Sequence, residues 1–375
     1  MPNTHKTIDL FCGCGGLSLG LEKAGFRILF ANDINPICAD TYIGNLKIEK
    51  DSFFRGDIND LVINFENYKK IFNEVDLISG GPPCQGFSMA NRQRIIDDPR
   101  NILYKAYLEI LKKAKPKFFI MENVKGMLNK IDEIISDFAE TLGEQYNFSY
   151  SILNASDYGV PQNRERFFLI GNRIGIKSAD VFKNIYTHKR KPFTLQQAIS
   201  DLPTLGVNVN KNKSSIENNV VGFLKVKHNY RIDDYYKFIN GDRKIEYVYN
   251  HKNRYNNERD VKIYTLLPQG ENSLHSSIAD IMPYKTRNHI FKDKYFKLRC
   301  DDVCKTITSH MQFDCNMYIH PTQPRGISAR EAARIQTFPD DFTFTGAQNS
   351  WYMQIGNAVP VQLAKIIGGE IIKCL

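Results

Sequence analysis

Over its first 175 residues the chain alternates short apolar runs with amphipathic stretches. Residues 7–11 (TIDLF), 26–31 (FRILFA), 75–78 (VDLI), 118–121 (FFIM) and 167–170 (FFLI) have the length of strands, and several are bounded by Gly, Pro or Asn. Between them, Leu17, Leu21 and Ala24 share one helical face, and helical spacing recurs at about 101–114 and 130–143. Asn35 followed by Pro36 pairs a capping side chain with proline at the first helical position, which predicts a helix start. Such alternation predicts an α/β fold whose mostly parallel sheet is covered on both faces. From about 176 to 325 the pattern breaks down, apart from a short helix at 194–199. It returns with helices at 328–336 and 361–373, the latter expected to fold back onto the first domain. The predicted organisation is 1–175, 176–325 and 326–375.

Composition narrows this picture. A chain of 375 residues with 42% apolar and 24% charged residues is long enough for two or three domains and too apolar for disorder. No apolar run approaches the roughly 18 residues of a membrane span, and MPNTHKTIDLF lacks a signal-peptide layout. The expectation is therefore a cytoplasmic protein with no membrane partner. The eight cysteines form no CxxC pair, which argues against a structural zinc site; no metal is expected, and the thiols should stay reduced.

Charge is unevenly placed. Residues 181–300 carry 22 Lys+Arg against 11 Asp+Glu, so a net +11 sits in one segment of a chain whose total is +9. That segment is also rich in Tyr, Asn and His. A basic, aromatic-laced stretch between two near-neutral apolar ones is either a polyanion-binding module or the solvated face of a lysine-rich protein.

Candidate chemistry clusters where strands end. The first strand runs into Phe11-Cys12-Gly13-Cys14-Gly15-Gly16, a turn that lets a ligand approach the backbone. The dinucleotide fingerprint would place glycine where Ser18 stands. The second strand ends in Asp33, suited to ribose hydroxyls, and Asp57 ends a third, suited to an adenine amino group. These residues suggest a nucleoside cofactor and leave a nicotinamide dinucleotide and S-adenosylmethionine both open. Next comes SGGPPCQGFS (79–88), in which paired prolines stiffen the approach to Cys84. A thiol so held at a strand's carboxyl edge reads as a positioned nucleophile rather than an inert buried one. Glu122 ends a further strand and is a candidate acid. Arg164 and Arg166, two apart on an extended segment, suit a polar or anionic substrate.

Taken together these segments resemble the cytosine-C5 DNA methyltransferases, particularly bacterial modification enzymes. The resemblance rests on DLFCGCGGLSLG (9–20), GGPPCQGFS (80–88), MENVKG (121–126), QNRERFFLIGN (162–172), RGISAREAARIQTFPDDF (325–342) and QIGNAVPVQLA (354–364), in the family's order. The basic region fills the gap between the fourth and fifth. The resemblance implies a Rossmann-like S-adenosylmethionine-dependent methyltransferase domain and a smaller, irregular target-recognition domain facing it across a DNA cleft. It implies that Cys84 adds to C6 of a flipped-out cytosine in duplex DNA, making C5 electron-rich, and that Glu122 donates to N3. Arg164 and Arg166 hold the base and support the thiolate, with Arg166 favoured for O2. Phe11, Gly13, Gly15, Asp33, Asp57 and Asn357 are implied for the cofactor, Asp33 standing where many members have Glu. Segment 89–101 resembles the family's mobile loop, with Ser88, Arg92 and Arg100 as DNA contacts. Residues 285–299 and 306–310 are candidates for base and phosphate contact. A restriction–modification role, with a cognate restriction endonuclease and a monomeric enzyme, completes the expectation. The features that mark the family's tRNA-methylating branch after the Pro-Cys-Gln segment are absent here and a long basic region is present, which favours duplex DNA. A nicotinamide oxidoreductase would leave Cys84 and Glu122 without a role, and a DNA-binding protein without catalysis would not need its catalytic positions intact.

Overall fold

Seven strands build one sheet: β1 (His5–Leu10), β2 (Phe26–Asp33), β3 (Phe53–Arg55), β4 (Leu77–Gly80), β5 (Phe118–Val124), β6 (Asn147–Asn154) and β7 (Glu165–Asn172). Their order is β3-β2-β1-β4-β5-β7-β6. The computed structural model describes residues 5–83, 103–211, 216–227, 231–283 and 293–375. The chain divides into two compact units, residues 1–158, 164–191 and 358–375 forming one and 159–163 with 192–357 the other.

The first unit holds the sheet. Strands β1 to β5 pair in parallel, whereas β7 runs antiparallel to both β5 and β6. The sheet is thus mostly parallel, and its reversed strand has a consequence for the site. Phe118, Phe119, Ile120 and Met121 are all fully buried, as a strand covered on both faces requires. Helices α1 (Gly16–Ala24), α2 (Pro36–Asn45), α3 (Ile58–Ile63), α4 (Phe65–Phe72), α5 (Leu103–Ala114), α6 (Ile131–Leu142) and α7 (Ser178–Tyr186) fill the connections and flank the sheet. Ile134, Phe138 and Leu142 recur every four residues and form the buried stripe of α6, with Phe138 tilted against Phe119 at 5.5 Å. On α5, the Tyr107 hydroxyl donates to the carbonyls of Ile78 (3.1 Å) and Ile120 (2.8 Å), tying β4 to β5. Asn35 caps α2 by accepting from the amides of Ile37 and Cys38, with Pro36 as its first residue, as the sequence predicts. Sequence periodicity missed β6, whose alternation is blunted because most of its residues are only half-buried.

Helix Val361–Ile372 packs on α1 at glycine contacts. A Cβ at Gly20 would lie 2.3 Å from that of Ala364, and one at Gly368 would lie 2.9 Å from the Leu21 side chain.

The second unit is less regular. Strands β8 (Gly222–Lys227) and β9 (Tyr247–Lys252) form an antiparallel pair, accompanied by short helices at Asp234–Asn240 and Glu258–Leu266. Helix Ala329–Ile335 begins with a capping box between Ser328 and Glu331, and every residue in it is buried. Two of its three charges are paired inside, Glu331 with Arg325 at 2.6 Å and Arg334 with Asp340 at 2.7 Å and with Asp201, whereas Arg330 donates to the carbonyls of Tyr249 and Pro339. The helix expected at 328–336 is thus present and buried with its charges.

Candidate active site

Strand β1 ends at Leu10 and the chain turns sharply. Phe11 (φ 55°), Gly13 (φ 55°) and Gly15 (φ 93°) are all left-handed, a conformation that costs nothing only at glycine. The two glycines serve different ends. A Cβ at Gly15 would collide with Leu46 at 2.6 Å and the Tyr42 ring at 2.9 Å, whereas one at Gly13 would meet nothing within 4 Å. Gly13 therefore leaves its backbone open to approach. Its amide donates to Asp33 Oδ2 at 2.8 Å, and the Asn35 amide donates to Oδ1 at 2.8 Å. Asp33 thus locks the glycine turn to the end of β2. Burial nevertheless raises its carboxyl above the ordinary value, against the lowering effect of those amides.

Asp57 follows β3 and caps α3, Oδ1 accepting from the amide (2.8 Å) and side chain (2.9 Å) of Asn59. Asn32 Nδ2 donates to the carbonyls of Phe54 and Gly56, which fixes the segment carrying it.

The carboxyl ends of β4 and β5 are stitched together. Asn123 Nδ2 donates to the Pro82 carbonyl at 2.9 Å, and a Cβ on Gly81 would sit 3.3 Å from Glu122 Oε2. Glu122 therefore abuts the segment leading by sequence into Cys84. Cys84, Ser88, Arg92 and Arg100 themselves lie outside the described residues, as do residues 285–292 of the basic stretch 285–299.

Because β7 is antiparallel to β5, its beginning meets the end of β5, with Arg166 opposite Val124. This brings Arg166 Nε to 3.2 Å from Glu122 Oε1, both side chains being nearly buried. Burial raises the Glu122 carboxyl, opposed by the positive charges of Arg166 and Arg164, and the net shift is upward. Arg164 is fully buried; its Nη2 donates to the Ala358 carbonyl at 2.9 Å and its amide to Asn154 Oδ1 at 3.0 Å. The two arginines therefore divide: Arg166 meets the carboxyl directly, whereas Arg164 also anchors the backbone where the chain re-enters the first unit.

Asn357 is the exposed last residue of helix Gln348–Asn357 in the second unit. Also there, Thr306 Oγ1 donates to the Asn163 carbonyl, Lys297 to the Tyr264 carbonyl, and Arg299 pairs with Asp301. These candidate nucleic-acid contacts thus also hold their own unit together. His310 and Phe313 beside them are exposed.

Two groups at the sheet edge went unrecognised in the sequence. Asn123 stands inside a recognised segment with no chemical signal of its own. Asp9 breaks the apolar run of β1, and that break was the available signal. A cavity of about 450 Å3, lined by Asp76, Lys117 and Arg173 among others, lies at the opposite edge of the sheet from Glu122 and the glycine turn.

Residues 5–373 match the family described as C-5 cytosine-specific DNA methylase. This chain belongs to that family. It is a DNA cytosine-C5 methyltransferase, built on the family's Rossmann-like fold. The Type II methyltransferase M.XorII of Xanthomonas oryzae pv. oryzae is 32% identical to it over 383 residues, covering 98% of this chain and 84% of the relative. M.MthTI of Methanothermobacter thermautotrophicus is 33% identical over 373 residues, covering 98% and 97%. A prophage-encoded protein of E. coli, assigned as a DNA modification methyltransferase, superposes on the methyltransferase with a TM-score of 0.75 at 27% identity, with 99% of each chain covered. Among the described residues no helix is long and apolar enough to cross a membrane.

Proposed function

We propose that this methyltransferase uses Cys84 as a covalent nucleophile on a cytosine flipped out of duplex DNA, with S-adenosylmethionine as methyl donor. The observation that carries the reading is Glu122, buried against Arg166 at 3.2 Å and abutting Gly81, three residues before the cysteine. C5 of cytosine is too weakly nucleophilic to be alkylated unaided. Addition of the Cys84 thiolate at C6 forms the sulfur–carbon bond and moves electron density to C5, with negative charge developing towards N3. A protonated Glu122 donates to N3 and offsets that charge, and Arg166 donates to O2. After methylation the C5 proton leaves to water, the C6–sulfur bond breaks and the thiolate is released. A stacked base cannot be reached at C6, so extrusion from the helix is required.

The open backbone at Gly13, with Asp33 and Asp57 at the ends of adjacent strands, fits a nucleoside cofactor. Phe11, Gly13, Gly15, Asp33, Asp57 and Asn357 hold S-adenosylmethionine in this reading, which when bound supplies an electrophilic methyl group. The second unit, with most of the basic segment, serves as target-recognition domain, and Ser88, Arg92 and Arg100 contact DNA. Relatives named Type II methyltransferases support a role in a restriction–modification system with a cognate endonuclease. The enzyme acts as a cytoplasmic monomer.

The test is incubation with S-adenosylmethionine and duplexes carrying 5-fluorocytosine, which blocks loss of the C5 substituent. A covalent protein–DNA adduct, mapped by mass spectrometry to Cys84, is expected. Methyl transfer without any adduct at Cys84, or transfer to tRNA alone, overturns the reading.

A further inference from the structure

Beneath the glycine turn lies a buried polar cluster that the mechanism above leaves unused. Asp9, the penultimate residue of β1, is 1% exposed, and Ser18, Ser79 and Tyr42 around it are all fully buried. Ser79 on β4 donates to Asp9 Oδ1 at 2.8 Å, and Ser18 on α1 donates to Oδ2 at 2.5 Å. The Tyr42 hydroxyl on α2 lies 2.6 Å from Ser18 Oγ and donates to it, because the serine proton is already committed to the carboxylate. The Tyr42 ring also packs where a Cβ of Gly15 would stand.

Burying a carboxylate in a central strand is costly. Burial raises the Asp9 carboxyl to about 6, opposed by its bonds to Ser18 and Ser79. Stability alone would favour valine or leucine here. What the carboxylate provides instead is a junction. One oxygen holds the helix that leaves the glycine turn, and the other holds β4, which leads through Gly80 and Gly81 towards Cys84.

We propose that Asp9, with Ser18, Ser79 and Tyr42, is a positioning unit that registers the cofactor turn against the strand leading to the nucleophile. The inference rests on the reading of that turn and of Cys84 given above. Asp9 touches neither substrate nor cofactor in this scheme. Its effect comes through geometry, where a displacement of about 1 Å costs on the order of a hundredfold in rate.

The experiment is a double-mutant cycle on the full chain with S18A and S79A, repeated in a D9N background. Calorimetry gives the affinity for S-adenosylmethionine, and single-turnover methyl transfer at saturating cofactor gives the chemical step. Ser18→Ala is expected to weaken cofactor affinity, and Ser79→Ala to slow the chemical step with affinity within about twofold of wild type. Losses of about tenfold are expected in each case; Ser18→Ala also slows the chemical step, and in that rate the two substitutions are non-additive by at least about threefold, with the coupling absent in D9N. Additive effects, or rates and affinities all within about twofold of wild type, overturn the proposal. Tyr42→Phe, which removes only a hydroxyl, keeps it testable should D9N fail to fold: it too must weaken cofactor binding, and unchanged affinity counts against the unit. A wild-type enzyme that transfers methyl groups but shows an additive cycle sinks this inference alone. A wild type that transfers none sinks the functional reading with it.

Discussion

Glu122 carries two opposing influences, burial that favours its neutral form and two arginines that favour its charge, and burial prevails. A carboxyl raised in this way keeps its proton to higher pH, so the form able to donate to N3 is present below its folded value and lost as pH rises through it. The single-turnover rate should therefore decline on a basic limb. Glu122→Gln donates from an amide that does not ionise, so it should flatten that limb while slowing the reaction by roughly a hundredfold. An unaltered limb in a pH profile of E122Q assigns the titration to another group. At position 84, Cys84→Ser should abolish methyl transfer while leaving DNA binding intact, as read by filter assay and gel shift. The identity of such residues was legible in the sequence because their chemistry is local. The Arg166–Glu122 pairing was not, since 44 positions separate the two and nothing near either specifies the other.

At the level of elements, close helix packing rests on missing side chains. A Cβ at Gly20 would meet Ala364 at 2.3 Å and the Val361 carbonyl at 2.6 Å, and backbone yields poorly. Gly20→Val should cost about 1–3 kcal/mol or more and lower the melting temperature measured by calorimetry. Gly369, on the partner helix Val361–Ile372, has nothing within 4 Å. Gly369→Ala should be neutral or stabilise by up to about 1 kcal/mol, because alanine is the better helix former. Equal melting temperatures for the two variants would show that the contact at Gly20 relaxes freely. Helix positions were readable from periodicity, as with Leu17, Leu21 and Ala24 on α1. The partner of that face was not, because a hydrophobic stripe records that something covers it and not which element does.

Across the whole molecule the two units should respond differently to pH. His251 and His320 in the second unit are buried, and their folded values are pushed down to about 4. His320 Nδ1 already accepts from the amides of Thr322 and Gln323, which fixes the neutral ring. Between the ordinary value of 6.5 and about 4 the unfolded chain binds more protons, so stability falls as pH falls through that window. Glu331, held well below the usual carboxylate range by Arg325 and His320, extends the loss at lower pH. The chain has one tryptophan, Trp351, buried in this same unit, so its fluorescence reports the transition directly. Melting followed at Trp351 should move to lower temperature from pH 7 to pH 4; a flat response would mean that both rings protonate in place. DNA affinity should also drop steeply with salt, by about 10³–10⁵-fold between 50 and 200 mM if some 6–10 phosphates are contacted. By itself the sequence determined the strand–helix alternation, the family, the candidate nucleophile and acid, and the basic middle segment, because periodicity, residue chemistry and charge are written locally along a chain. Only the tertiary structure decided that β7 runs backwards and so delivers Arg166 to Glu122, that Arg330 and Arg334 lie inside, and that Asp9 joins two elements from beneath. Those outcomes depend on which distant segments pair and what each then excludes from water, and no stretch of sequence carries that alone.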